Sequence, residues 1–253
     1  MNQKIKTNIA CVLQLIETEF CASERKGLEK PFRVGSRIYA SNGRCAVRID
    51  IDPDAPGLPE DDGQYNQTAA TLDGHFEPRS DGKTVVLKVD VAALTSVPSQ
   101  YAERLQKMTD EWKPNQKKRD VLTCPCCGNE LYLEHTSFGN ELLDKSEEDD
   151  RELLTLSDRL CIKIKRRRGD LYFKGQNITS AFRLAALADD TAFSSFVTAD
   201  KDADRGVLRL VGNGWSVVAM CRYIDSDDRD DMKMVEDSLL ATLSPVEAEK
   251  PEE

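Results

Sequence analysis

The sequence contains no long hydrophobic run. None of its 253 residues belongs to a stretch of eighteen consecutive apolar side chains, so no transmembrane helix is predicted. Near the N-terminus Glu17 and Glu19 interrupt the apolar stretch and no small-residue cleavage site follows, so we expect no signal peptide. We therefore expect a reducing cytoplasm, where eight cysteines are core residues or metal ligands more often than disulfides.

The sequence also lacks the common signatures of catalysis. It has no G-x-S-x-G, no P-loop, no paired histidines and no H-x-E followed by C-x-x-C. Only two histidines are present. We expect a protein that is not an enzyme.

The chain has fewer positively charged than negatively charged residues. The formal net charge is -10 and the sequence pI is about 4.9. Such a balance favours solubility and disfavours general binding to nucleic acid, although a local basic surface can be offset elsewhere in the chain.

The most ordered pattern in the chain is a pair of similar hairpins. The first, Arg37 to Ile51, turns at Asn42-Gly43, and after the turn Cys45, Val47, Ile49 and Ile51 alternate with polar or small residues. Asn-Gly is typical of type I′ turns, which need positive φ at both central residues. The second hairpin, Val207 to Tyr223, turns at Gly212-Asn213-Gly214. Each follows a helix-like segment, so we interpret them as a weak internal repeat.

This order of helices and neighbouring strands predicts an α+β fold with antiparallel sheets. We divide the chain into module 1 (residues 1–112), a basic linker, cysteine knuckle and acidic segment (113–150), module 2 (151–228), and a terminal helix with a disordered acidic tail (229–253). Thr84 to Val89 is expected to be the second strand of a hairpin around Asp81-Gly82. A terminal helix is expected over Asp230 to Leu243.

A cysteine cluster, Cys124-Pro125-Cys126-Cys127-Gly128, lies in the middle segment. A C-x-x-C followed by glycine is half of a zinc ribbon, and zinc prefers four ligands in a tetrahedron. A second C-x-x-C is missing. One structural zinc held by Cys124, Cys127, His135 and Cys161 is one interpretation, and Cys126 can replace one of these. The alternative is a metal-free knuckle held by its own hairpin.

Two basic clusters are candidates for contact with DNA phosphates. They comprise Lys117, Lys118 and Arg119, and Lys163, Lys165, Arg166, Arg167 and Arg168. Such patches suit salt-dependent binding without sequence preference. The alternative is a solvated turn facing the acidic run Glu147 to Asp150.

The two hairpins carry a family resemblance. IYASNGRCAVRI resembles the first module of DNA sliding clamps, most closely the divergent clamp-like proteins of phages and mobile elements, which often have a Y-A-T-D-G-R turn. VLRLVGNGWSVVAMCRY resembles the end of the same proteins, with Met220 and Arg222 in place and Cys221 where proline is common. The expected channel helices depart from the family because they carry Glu17 and Glu19 and only Arg183.

The resemblance implies a ring of six similar modules that encircles duplex DNA and tethers a polymerase. A chain of two modules would close that ring as a trimer. The function expected is thus a clamp-like tether or processivity factor in phage or mobile-element replication. Two alternatives remain open: an acidic protein that inhibits or sequesters a host factor, and a zinc-ribbon regulator that binds DNA.

Overall fold

The computed structural model describes residues 9–22, 27–61, 63–77, 84–116, 121–136, 139–166, 169–200, 205–222 and 229–247. Its helices are α1 (Ile9–Phe20), α2 (Asn66–Phe76), α3 (Val91–Leu94), α4 (Val97–Gln116), α5 (Lys145–Arg159), α6 (Gly175–Leu187) and α7 (Arg229–Asp237). Its first seven strands are β1 (Phe32–Val34), β2 (Arg37–Ser41), β3 (Cys45–Asp50), β4 (Thr84–Val89), β5 (Val121–Thr123), β6 (Glu130–Thr136) and β7 (Gly139–Asp144). The others are β8 (Cys161–Ile164), β9 (Leu171–Lys174), β10 (Ser194–Asp200), β11 (Gly206–Gly212), β12 (Trp215–Met220), β13 (Leu239–Leu243) and β14 (Val246–Glu247).

An eight-stranded sheet forms the centre of the fold, in the order β1-β2-β3-β12-β11-β10-β4-β14, with every pair antiparallel. Six of these strands form two meanders, β1-β2-β3 and β10-β11-β12, whose last strands pair at the centre. Each meander follows a helix, α1 or α6. The helix-and-hairpin repeat of the sequence thus appears as two helix-plus-meander units that meet at the β3–β12 seam.

Both predicted hairpins are present, but their turns differ from the predicted type. Among the described residues other than glycine, only Asp189 has a positive φ, so neither Asn42 nor Asn213 adopts the conformation that a type I′ turn needs. In the first turn Asn42 Oδ1 accepts from the backbone N–H groups of Arg44 and Cys45 at 3.0 and 2.8 Å. This asparagine acts through its side chain, and Gly43 alone supplies the positive φ.

The main core lies on one face of the large sheet. Alternate residues of β3 and β12, including Val47, Ile49 and Val217, pack there against Val12 and Ile16 of α1. Helices α1 and α6 contact each other, and α4 contacts α6 in turn. Helix α1 therefore covers the buried face of the first hairpin.

The opposite face of the sheet is covered by α2, a helix that the sequence pattern did not predict. Ala69 and Phe76 of this helix are buried with Tyr39, Ala46 and Val218. Arg48 donates to Asp73 at 2.8 Å, and its guanidinium lies over the Phe76 ring at 4.9 Å. The face of β3 that carries Ala46 and Arg48 is thus partly covered, and His75 lies in the last turn of α2.

Strand β4 has different partners from those predicted. It pairs with β10 on one side and with β14 on the other, whereas a hairpin around Asp81-Gly82 was expected. Residues 78–83 lie outside the described part of the chain. Because its partner β10 comes more than a hundred residues later, this pairing has no local sequence signal.

The C-terminal region also differs from expectation. Helix α7 ends at Asp237, and Leu239–Leu243 continues as β13, parallel to β8, where Leu240 and Leu243 are buried. Burial of these leucines against β8 outweighs their helix propensity. Part of the tail expected to be disordered, Val246–Glu247, pairs with β4. Residues 248–253 lie outside the description.

The chain is α+β with several sheets, as predicted. Strands of the two predicted modules share one sheet and one main core, and α4 continues through the start of the predicted linker to Gln116. Separate folding of residues 1–112 and 151–228 stays a prediction, and each segment alone would expose its half of the β3–β12 seam. Among the described residues no helix has both the length and the apolar character needed to cross a membrane.

Candidate functional site

The cysteine cluster forms a tight knuckle at the β5–β6 connection. Gly128, with φ of 79°, donates its N–H to the Cys124 carbonyl at 2.9 Å, and Cys124 donates to the Asn129 carbonyl at 2.8 Å. Backbone N–H groups of Cys127 and Cys126 also bond to the Cys124 sulfur and lower the pKa of its thiol. Cys126 and Cys127 are exposed. This is the local geometry of half a zinc ribbon.

The other predicted ligands are not brought to this knuckle. His135 lies five residues along the continuous strand β6 from Glu130, opposite Asn140, which places its backbone about 17 Å beyond the start of that strand. Cys161 is fully buried with Tyr172 and Val235, and burial raises the pKa of its thiol. Zinc ligands lie about 2 Å from the ion, so neither residue can join Cys124 and Cys127 in one site of this chain.

The knuckle by itself therefore supplies an incomplete set of ligands. No three histidine, cysteine, aspartate or glutamate side chains converge as a metal site anywhere in the part of the chain that the structure describes. Cys124 and Cys127 have the C-x-x-C spacing that two ligands of a tetrahedral ion require. The chain offers two well-placed thiols where zinc needs four ligands.

Lys163, from the predicted DNA-binding run, is engaged within the protein. Its ammonium lies 2.7 Å from Glu236 and 3.0 Å from Asp170, and its side chain is only 15% exposed. The Tyr172 hydroxyl also donates to Glu236, at 2.6 Å. Burial first, and then the bond to Glu236, raise the pKa of Tyr172 to about 12. The cluster joins β8 and β9 to α7.

Arg166 is likewise used inside the fold. Its guanidinium donates to the carbonyls of Gly169 at 3.0 Å and Asp200 at 2.9 Å, closing the β8–β9 turn onto the end of β10. Lys165 between them is exposed. The other predicted contacts, Lys117, Lys118, Arg119, Arg167 and Arg168, lie outside the described residues.

The surface formed by α1 and α6 is not basic. Glu19 accepts from both Arg183 and Ser180, so the one arginine expected to face a DNA channel is already paired. Glu17 is exposed on the same helix as Glu19. Within the described part of these helices, negative charge is at least as prominent as positive charge.

A groove of about 500 Å³ lies between α2 and the outer face of the sheet. Its lining mixes polar groups of α2 with apolar strand residues and includes Arg44, His75, Val218 and the half-exposed Met220. The sequence pattern did not predict this groove, because it did not predict α2. The only available signal was the spacing of Ala69, Leu72 and Phe76, which is helical but weak.

Comparison of the chain with models of protein families, with curated proteins and with solved structures finds no match.

Proposed function

We propose that this protein is a non-enzymatic, clamp-like tether that assembles into a closed ring of copies on duplex DNA and holds a replication enzyme there. The observation that carries the proposal is the duplicated helix-plus-meander unit. Two meanders meet at the β3–β12 seam, and their helices α1 and α6 contact each other. A sheet backed by paired helices, repeated about a central seam, suits the wall of a ring.

The edges of the large sheet give this ring a means of closure. Strand β1 lies at one edge and β14 at the other. An edge strand presents backbone N–H and C=O groups that another chain can pair with. Pairing of β1 in one copy with β14 in the next is a head-to-tail contact, and repeated rotation by such a contact closes a ring.

A second function is favoured by the electrostatics. Lys163 and Arg166 are occupied by partners within the protein, and α1 and α6 carry Glu17 and Glu19. An acidic protein that binds and sequesters a protein factor needs no basic channel. For that function a monomer or small oligomer without DNA retention is expected.

Two measurements test the proposal: the mass of the protein in solution, and its retention on circular compared with linear DNA. A ring is expected as one closed oligomer by light scattering, and it is expected to remain on nicked circular DNA and slide off after the circle is cut. Val246→Lys changes an edge valine that is 71% exposed and is expected to weaken assembly. Val211→Lys, on interior strand β11, is the matched control and is expected to leave assembly intact.

A monomer with no topology-dependent retention would overturn the tether and favour the sequestering function. Equal retention on circular and linear DNA would also overturn it, because encirclement predicts a difference.

A further inference from the structure

The small sheet that carries the knuckle presents an apolar face to solvent. In the register of β5, β6 and β7, Leu122 lies opposite Leu131 and Leu133 lies opposite Leu142. Leu131 and Leu133 are two residues apart on one strand, so all four leucines share one face. Leu122 is 45% exposed and Leu142 is 57% exposed.

The other face of this small sheet is already used. Tyr132 is 2% exposed, and its hydroxyl donates to Asp149 of α5 at 2.7 Å. Contacts of α5 with β6 and β7 hold the sheet to the body of the protein. The leucine face therefore points away from α5.

The knuckle and the leucine face are both incomplete, and they lie on the same hairpin. Cys124 and Cys127 offer two thiols, and His135 and Cys161 are placed where they cannot complete the site. A tetrahedral zinc needs two more sulfur or nitrogen ligands. The nearest source with matching geometry is the same knuckle of another copy.

We infer that two copies of this chain share one zinc ion, bound by Cys124 and Cys127 of each, with their leucine faces in contact. Such an interface is isologous, because each copy offers the same surface to the other about a two-fold axis. On binding, the four thiols become thiolates and release their protons to solvent while four Zn–S bonds of about 2.3 Å form. The zinc fixes the relative orientation of the two copies, and Leu122 and Leu142 bury apolar surface between them.

Cys126 is left out of the proposed site. It lies between the two ligands, and its backbone N–H bonds to the Cys124 sulfur, a contact that Cys126→Ser keeps. It therefore provides a matched control, being an exposed cysteine in the same turn.

The experiment uses the full chain, freed of metal and then titrated with zinc under reducing conditions. We expect saturation at about 0.5 zinc per chain and, in the same titration, a doubling of the mass of the assembling unit. Chelator is expected to reverse both changes. Cys124→Ser with Cys127→Ser is expected to abolish both, and Cys126→Ser to leave both unchanged. Replacing zinc with cobalt gives a third measure, since four thiolates produce an intense tetrahedral Co²⁺ spectrum.

The double variant Leu122→Ser, Leu142→Ser tests the contribution of the leucine face to the interface. Because both side chains are largely exposed, this variant is expected to fold normally and to dimerise at least tenfold more weakly at saturating zinc. Saturation at one zinc per chain without a change in mass would overturn the inference, and so would the absence of binding at micromolar zinc. The inference does not depend on the ring, since zinc stoichiometry and circular-DNA retention are measured separately.

Discussion

Val47 of β3 lies directly opposite Val217 of β12, and both side chains are 0% exposed. They belong to different helix-plus-meander units, so the contact joins the two halves of the repeat. Because it lies at the centre of both the sheet and the main core, it links folding of one half to folding of the other.

Val47→Ala and Val217→Ala are each expected to lower the free energy of unfolding by about 2 kcal/mol, through lost methyl burial and a small cavity. Both are expected to shift one common transition in urea denaturation followed by circular dichroism. Val211→Ala, on the partly exposed surface of β11, is the control and is expected to stay within about 0.5 kcal/mol. Two separated transitions, each sensitive to one variant, would indicate that the halves fold independently.

The sequence was sufficient to predict features with a short-range pattern. Alternation in Cys45 to Ile51 predicts β3 and its buried face. Asp90, a residue type typical of helix N-caps, precedes α3, and its carboxylate accepts from Ala92 N–H at 2.9 Å. Features that depend on partners distant in the sequence could not be predicted from it. Strand β4 pairs with β10, and α2 is stabilised by Asp73 and Phe76 against the sheet despite a weak helical pattern.

The same distinction applies to the candidate site. C-x-x-C-G predicts a local turn, and the backbone hydrogen bonds at Cys124 and Gly128 are those of such a turn. Which residues could act as the third and fourth zinc ligands depends on the tertiary structure and not on the local sequence. His135 is close in sequence but separated from the turn by a straight strand, and Cys161 is taken up by the core. The basic run likewise looks uniform in sequence, whereas Lys163 and Arg166 have partners that come from α7 and β10.

The cluster of Lys163, Tyr172 and Glu236 predicts a loss of stability in acid. Burial raises the pKa of Glu236, but hydrogen bonds from Lys163 and Tyr172 outweigh it, so the net pKa lies below its ordinary value of 4.5. A depressed folded-state pKa contributes stability above the unfolded pKa, and that stability is lost as the pH falls through the folded value. Glu236→Gln is therefore expected to lower the urea midpoint at pH 7.

As the pH falls below 4.5 and through the folded-state pKa of Glu236, the difference between this variant and the parent is expected to shrink, because the parent carboxylate becomes protonated. Glu103→Gln, on an exposed position of α4, removes one surface carboxylate as the control and is expected to change the urea midpoint at pH 7 much less than Glu236→Gln. A constant offset for Glu236→Gln at every pH would contradict the electrostatic explanation.

Lys163 of β8 and Lys165, just after the end of that strand, allow DNA contact to be tested separately from structural ion pairing. Lys165 is exposed, so Lys165→Ala is expected to leave stability unchanged. If the protein holds duplex DNA through this run, the slope of log affinity against log salt is expected to fall in magnitude by about 0.9, the loss of one phosphate contact. Lys163→Met is expected to lower stability, since it leaves Asp170 and Glu236 without their cation, and to keep the slope. The opposite assignment of effects would show that Lys163 leaves its carboxylates to bind DNA.

The second hairpin turn depends on Gly212 for space. Asp190 accepts from Asn213 N–H at 2.7 Å and from the Trp215 indole N–H at 3.0 Å, so carboxylate and ring both close over the backbone of Gly212. A Cβ at residue 212 would overlap both groups. Gly212→Ala is expected to cost at least about 2 kcal/mol, because Trp215 must leave its buried position or the hydrogen bonds to Asp190 must break. Thermal and urea unfolding measure the loss.

Trp215→Phe removes the overlapping indole nitrogen, so Gly212→Ala is expected to cost less in that background than in the parent. An equal cost in both backgrounds would place the strain in the backbone of the turn and not in its contact with the indole.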